Sequence, residues 1–411
     1  MEGDRDKTGG VPLRDILAAN FCANRDYRLV LFDRLPPDQQ EVLRDLTKDP
    51  EFYGVLLPPE GSSRKAKSVC QSTALLLFTL MEPGPLPAYV PSTLGATANQ
   101  AIAELVLDEV LMIEHEGRFV CGSAAYELLY SEPRSESSTC AAAADLTRAA
   151  LEYAQSLDLD DSNLLSARLY AYNRVPLSPR WKRLLPNREA VARWLGIESG
   201  GALRPLLEER WDRVRVTAQS EGWFQWTSPE KRASSEAGET GYKLYVSPMP
   251  DHTPDAFKAV VECLADSDAY HFKVGDDAYG LLRPDKIVIY FRSFAALEET
   301  GRRIAARLVD CPAQGVPFAA ALDGSDLLSW GVDPPRQSGV LAWQERESWR
   351  LWITNRVAVA MVAAKQSQNA RLAPWRFALE RLRLDAIDTD TWTPMAGFGR
   401  SAAHPVAVGE S

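Results

Sequence analysis

The chain lacks any apolar run approaching the ~20 residues that a membrane-spanning helix needs. The stretch Ser72-Thr-Ala-Leu-Leu-Leu-Phe-Thr-Leu-Met81 is short and internal and reads as a buried element. Its start, Met1-Glu-Gly-Asp-Arg-Asp-Lys7, lacks the apolar segment of a signal peptide, so a cytoplasmic location is expected. The sequence also lacks an excess of positive charge. A formal net charge of -10 argues against non-specific nucleic-acid binding, which relies on cations displacing counterions, but leaves room for a local basic pocket. Six cysteines and four histidines are scattered, with no Cys-x-x-Cys and no His-x-x-x-His, so no metal site is expected and the thiols read as packed and reduced. No internal repeat is present.

What remains is ordinary globular composition, 45% hydrophobic and 25% charged over 411 residues, enough for two or three domains. Pro37–Leu46 reads as a short helix. Asn99–Leu107 reads as another, leading into apolar runs on either side of Glu116-Gly117, a hairpin signal. Helix then hairpin suggests a winged-helix-like unit, and the acidic Glu114 and Glu116 speak against DNA. Ser131–Thr139 and Ser228–Thr240 read as polar linkers. Leu146–Leu157, Asn187–Leu195 (with Asn187 as N-cap) and Leu203–Ser220 read as helices. The period then becomes strand-like at Tyr242–Ser247, Tyr270–Val274 and Lys286–Arg292, with a helix at Ala296–Val309. Ser348–Met361 reads as starting strand-like and turning alanine-rich. The last twenty residues read as a disordered tail.

Chemistry concentrates in those strands. Alternation puts Lys243, Tyr245 and Ser247 on one strand face, and His271 and Lys273 together on another. Arg283 precedes the apolar strand that holds Tyr290, and Arg336, Arg350 and Arg356 follow. Cations beside buried strands are costly unless an anion compensates them. The alternative is a set of ordinary solvated Lys and Arg side chains. Asp323 and Asp326 either orient arginines or cap a loop, and Trp330 either lines a groove or packs in a core. Arg180, Lys182 and Arg183 form a basic run that is either a solvated loop or an approach for an acidic peptide.

The order Lys243-x-Tyr245, His271-x-Lys273, Arg283, Tyr290, Arg350, Arg356 resembles the active-site elements of phosphothreonine lyases of the OspF/SpvC type and of lanthipeptide-synthetase lyase domains. The wider text is similar to the HopA-type effector family as it occurs in class V lanthipeptide and thioamitide pathways. The resembling phrases are Leu169-Tyr-Ala-Tyr-Asn-Arg-Val-Pro176, Pro179-Arg-Trp181, Tyr242–Pro248, Phe272-Lys-Val274 and Leu322–Pro334. The resemblance covers roughly residues 150–365. It says little about residues 1–140; with the helix and hairpin read there, the expected fold is α+β, with a mixed or antiparallel sheet, a helical middle region and a small N-terminal winged-helix-like domain. The expected division is 1–135 for peptide or partner binding, 141–227 helical, 241–365 catalytic and 392–411 tail.

The implied reaction removes phosphate from phosphoserine or phosphothreonine in a ribosomal precursor peptide, giving dehydroalanine or dehydrobutyrine, without a cofactor. The implied partners are that phosphorylated peptide and a separate kinase-like protein, with no nucleic acid and no membrane. By the resemblance Lys243 matches the lysine that removes the α-proton, Lys273 the one that steadies the enolate, and Arg283, Arg350 and Arg356, with Arg336, the phosphate ligands. The family's acid is a histidine where this chain has Tyr245, and the first lysine of its Lys-x-Lys is His271 here. The acid is therefore Tyr245 or His271, or the phosphate leaves without one. A catalytically silent phosphopeptide- or kinase-binding partner is the competing reading.

Overall fold

In the computed structural model the described residues are 13–62, 64–130, 142–214, 222–229, 241–334, 347–367, 372–395 and 407–408. They form an α+β fold whose largest sheet has seven strands, all antiparallel to their neighbours. Its order is Ala320–Ala321, Leu328–Val332, Tyr242–Val246, Ile287–Phe291, His271–Gly275, Trp223–Thr227 and Asp212–Arg213. Ile287-Val-Ile-Tyr-Phe291 takes the middle position, where β-branched and aromatic side chains suit a strand paired on both edges.

Register gives the sheet two unlike faces. Leu244, Ile289, Phe272 and Trp226 lie side by side on the back. Helices Thr253–Leu264 and Phe294–Arg307 cover that face and complete an apolar core. Burying Phe272 or Phe257 there contributes about 1.5–3 kcal/mol each. On the front, Lys243, Tyr290, His271 and Thr227 form one row, and Tyr245, Val288, Lys273 and Gln225 form the next.

A second core joins the first 130 residues to the helices Trp349–Gln366 and Pro374–Leu384. It includes the helix Ala98–Leu107 and the hairpin Leu111–His115/Arg118–Val120, whose turn residues Glu116 and Gly117 both have positive φ. Among the described residues no helix is long and apolar enough to cross a membrane.

Three sequence expectations are corrected. Of the helix expected over Leu203–Ser220, the described residues up to 214 form a helix at Arg204–Arg210, and 215–220 lie outside the described residues. Trp211 turns into the core, with its ring 4.8 Å from Phe272, and Asp212–Arg213 pairs with the open edge of Trp223–Thr227 instead. Ser348–Met361 contains no strand. Ser348 caps a single helix, Trp349–Gln366. That helix is buried on several sides, so it carries no apolar stripe to betray its period. The expected tail from residue 392 starts inside the fold. Trp392 is buried, its ring 5.5 Å from Phe318, and Thr393–Pro394 pairs with Ile387–Asp388. Ala407–Val408 pairs with Ala66–Lys67, while the rest of the tail lies outside the described residues. The expected linker Ser131–Thr139, and all of the expected linker Ser228–Thr240 beyond Pro229, also lie outside them.

One glycine sets how the front face is reached. After His271–Gly275 the chain makes the short helix Ala278–Leu281, capped by Asp277, and returns as Ile287–Phe291. A Cβ at Gly275 would stand 2.6 Å from Gly280 C, so only glycine allows this turn to fold against the strand end. Gly275→Ala is expected to cost about 1–3 kcal/mol through overpacking, read as a lower midpoint in denaturant unfolding.

Candidate active site

Four elements meet at the front of the sheet. The turn after Gly275 delivers Arg283 and Asp285. The C-terminal end of helix Ser162–Tyr170 delivers Tyr170. The first turn of helix Trp349–Gln366 delivers Arg350. The strands deliver the lysines.

Asp285 is the hub. Its Oδ1 accepts from Arg283 Nε at 2.8 Å and its Oδ2 from Arg283 Nη2 at 2.9 Å. The Tyr170 hydroxyl donates to Oδ2 at 3.3 Å and accepts from Arg283 Nη2 at 2.8 Å. Arg350 is 1% exposed and donates to Pro317 O at 3.0 Å and Tyr170 O at 2.9 Å. Its Nη1 lies 2.9 Å from Asp285 Oδ2, close enough for ion pairing but outside hydrogen-bond geometry, so a buried N–H keeps no acceptor. Both guanidinium groups stack on the Tyr170 ring, at 5.4 and 4.7 Å. The two arginines overcome burial and hold the Asp285 carboxyl well below the usual carboxylate range, and that same carboxylate raises the pKa of Arg283.

Lys273 points at this cluster from the sheet. Its Nζ lies 4.1 Å from the Trp223 ring centroid and 5.9 Å from that of Tyr290. Burial lowers its pKa to about 8, helped by Lys243 and Arg283 and opposed by Asp285. Lys243 differs: its ammonium is ion-paired with Asp333 and lies 5.6 Å from the Tyr290 ring centroid.

Tyr245 is 2% exposed, and burial drives its pKa well above the usual phenol value. No described residue forms a hydrogen bond with its hydroxyl. His271 shares a hydrogen bond with Thr227 Oγ1 at 3.0 Å, and burial together with Lys273 lowers its pKa to about 4. At neutral pH the imidazole is neutral and the phenol keeps its proton.

The structure thus brings Lys243, Tyr245, His271, Lys273, Arg283 and Arg350 to one face. It does not bring Arg356 there. Six residues beyond Arg350, roughly 9 Å along the helix, its guanidinium lies 3.7 Å from the Trp352 ring centroid and 3.5 Å from Asp385. Arg336 lies outside the described residues. Asp323 closes its own loop through Ser325, Trp330 packs on Phe294 with centroids 4.6 Å apart, and Arg180 pairs with Asp251. Sequence reasoning missed Asp285, Tyr170, Trp223 and Asp333 as site residues. Asp285 carried a usable signal, being a lone carboxylate two residues from Arg283 at the mouth of an apolar strand.

No family model and no curated protein matches the chain. Solved structures show some likeness. The effector protein from Pseudomonas syringae pv. syringae strain 61 aligns over 62% of this chain and 98% of its own, at 14% identity and a TM-score of 0.37. The effector protein from Pseudomonas syringae pv. tomato strain DC3000 aligns over 62% and 98%, at 12% identity and a TM-score of 0.34. The type III effector/phosphothreonine lyase OspF from Shigella flexneri aligns over 41% and 88%, at 13% identity and a TM-score of 0.26. At these identities and TM-scores the likeness assigns no role to any residue here.

The unsatisfied Arg350 Nη1 and the cationic surroundings have the chemistry to receive an anion. Arg283→Ala and Arg350→Ala are each expected to weaken binding of inorganic phosphate on the order of tenfold or more, the value of a charge-assisted hydrogen bond. Arg356→Ala should leave it within about twofold, because that side chain serves Asp385. Calorimetric titration of the three variants reads the difference.

Proposed function

We propose that this chain eliminates phosphate from phosphoserine or phosphothreonine in a peptide, a ribosomal precursor peptide phosphorylated by a separate kinase-like protein. The observation that carries the reading is one juxtaposition. A lysine whose pKa is lowered to about 8 stands on the same sheet face as two arginines gathered on one buried carboxylate, one of them with an unused N–H. β-Elimination asks for that pair of functions: a base for a weakly acidic Cα–H and donors for a departing phosphate. The order of Lys243, Tyr245, His271, Lys273, Arg283 and Arg350 along the chain, with its resemblance to phosphothreonine lyases, supports the same reading.

The roles divide by environment. The geometry favours Lys273 over Lys243 as the base. Burial, with Lys243 and Arg283 nearby, makes Lys273 lose its proton more readily, whereas Lys243 is engaged in an ion pair with Asp333. Neutral Lys273 takes the α-proton, and the Lys243 ammonium steadies the negative charge that develops on the adjacent carbonyl oxygen. The Cβ–O bond breaks, its electron pair leaves with the phosphate, and a Cα=Cβ double bond remains. Arg283 and Arg350 receive the phosphate. Tyr245 keeps its phenol proton at neutral pH, whereas His271 lacks the acidic imidazolium proton, so Tyr245 is the better donor. Its raised pKa makes it a weak one, and the arginines carry most of the departure.

Incubation with a phosphoserine peptide followed by mass measurement tests the reading. Loss of phosphoric acid is expected. Tight binding with no mass change would favour the silent phosphopeptide-binding partner. Lys273→Ala and Lys273→Arg should both abolish elimination, since a guanidinium does not deprotonate. If Lys243→Ala is dead while Lys273→Ala keeps turnover, the base is Lys243. In the intact protein kcat/KM should climb with pH through about 8, because the protonated amine is inactive below its pKa and the free amine accumulates above it. No titration of His271 should appear between pH 6 and 8.

A further inference from the structure

We propose that Asp285 is the positioning residue of this site: one carboxylate orients Arg283 and Arg350 around the phosphate and supplies the local negative charge that Lys273 works against. This deepens the elimination reading above and rests on it for the identity of the anion.

The argument begins with repulsion. Two guanidinium groups stacked on one tyrosine ring repel each other, and burial removes the water that would screen them. A shared carboxylate is what lets them stand together. Asp285 is 4% exposed and accepts three hydrogen bonds. Oδ1 takes Arg283 Nε, while Oδ2 takes Arg283 Nη2 and the Tyr170 hydroxyl and faces Arg350 Nη1. Buried among these donors, with its pKa held well below the usual carboxylate range, it is a poor base, so its effect passes through others. What it leaves over is one edge of each arginine. Arg283 meets its partners through Nε and Nη2, and Arg350 Nη1 is buried without a hydrogen-bond acceptor. Phosphate oxygens supply the acceptor that Arg350 Nη1 lacks.

Lys273 feels the same carboxylate. The charged and titratable groups around it are Asp285, Lys243, Arg283 and His271, with the Trp223 and Tyr290 rings on either side. Asp285 is the anion among those groups. Without it Lys273 would face three basic side chains and give up its proton at lower pH.

Lysine labelled with carbon-13 at Cε reports the Lys273 titration directly, with or without catalysis. Asp285→Asn is expected to shift the Lys273 midpoint downward by at least about half a pH unit, and the pH at which kcat/KM rises should move with it. Asp285→Glu keeps the charge but displaces the carboxylate by about one methylene. It should leave the Lys273 midpoint in place while weakening phosphopeptide binding on the order of tenfold or more, as expected for a cradle moved by ~1 Å. An unchanged midpoint in Asp285→Asn overturns the electrostatic part. Undiminished phosphopeptide binding in Asp285→Glu overturns the positioning part, and this comparison stands even if Asp285→Asn fails to fold. Failure of the elimination reading looks different: the intact protein binds the phosphopeptide without releasing phosphate, and the midpoint shift in Asp285→Asn is still observed.

Discussion

A carboxylate can be buried at the end of a β-sheet only if cations come to it, and here several parts of the chain converge to do so. Arg283 arrives from the turn that also carries Asp285, Arg350 from a helix some 65 residues later, and Tyr170 from a helix that precedes the sheet altogether. Supporting contacts fix those approaches. Buried Lys286, its pKa lowered to about 7 by desolvation, donates to Pro248 O and Gln314 Oε1, both at 2.6 Å. Gln314 Nε2 donates in turn to Asn173 O at 2.5 Å and Leu282 O at 3.2 Å, tying the segment after Tyr170 to the one before Arg283. The ion cluster is therefore a property of the fold's connectivity, not of one motif.

The sheet contributes a difference between two chemically identical amines. Lys243 and Lys273 occupy neighbouring rows of one face, separated by the strand that holds Val288 and Tyr290. Lys243 meets a carboxylate at its own strand's edge, since Asp333 N pairs with Gly241 O and the Asp333 side chain turns back over Lys243. Lys273 meets rings and cations first, and a carboxylate already claimed by two arginines. Environment alone gives one amine an ion pair and the other a lowered pKa, the same logic by which paired carboxylates are given different roles in acid–base enzymes.

Much of this was legible in the sequence. Alternation placed Lys243 with Tyr245 and His271 with Lys273, because strand geometry is a two-residue repeat that local pattern reports directly. Asn187 as an N-cap and the Glu116-Gly117 turn were legible for the same reason. Arg356 was not. Its distance from Arg350 in sequence says nothing about face until Trp349–Gln366 is known to be a helix, and that helix hides its period by being buried on several sides. Trp223 and Asp333 were missed because their roles are set by pairing across strands, which no local pattern encodes, whereas the signal at Asp285, two residues from Arg283, is local.

That buried helix also explains why the first 130 residues bear on the site. Arg350 sits in its first turn, and Trp349, Trp352, Ile353, Val357 and Met361 share one core with Phe21, Ile102, Val106 and Leu111 from the N-terminal part. Ser166 bonds Asn355, and Asn355 bonds Glu347, so the helix is also tied to the element that delivers Tyr170. A fully buried arginine holds its position only as firmly as the helix beneath it. The packing of residues far from any chemistry thereby limits how far Arg350 can swing from Asp285, and the N-terminal region is part of the scaffold that holds Arg350.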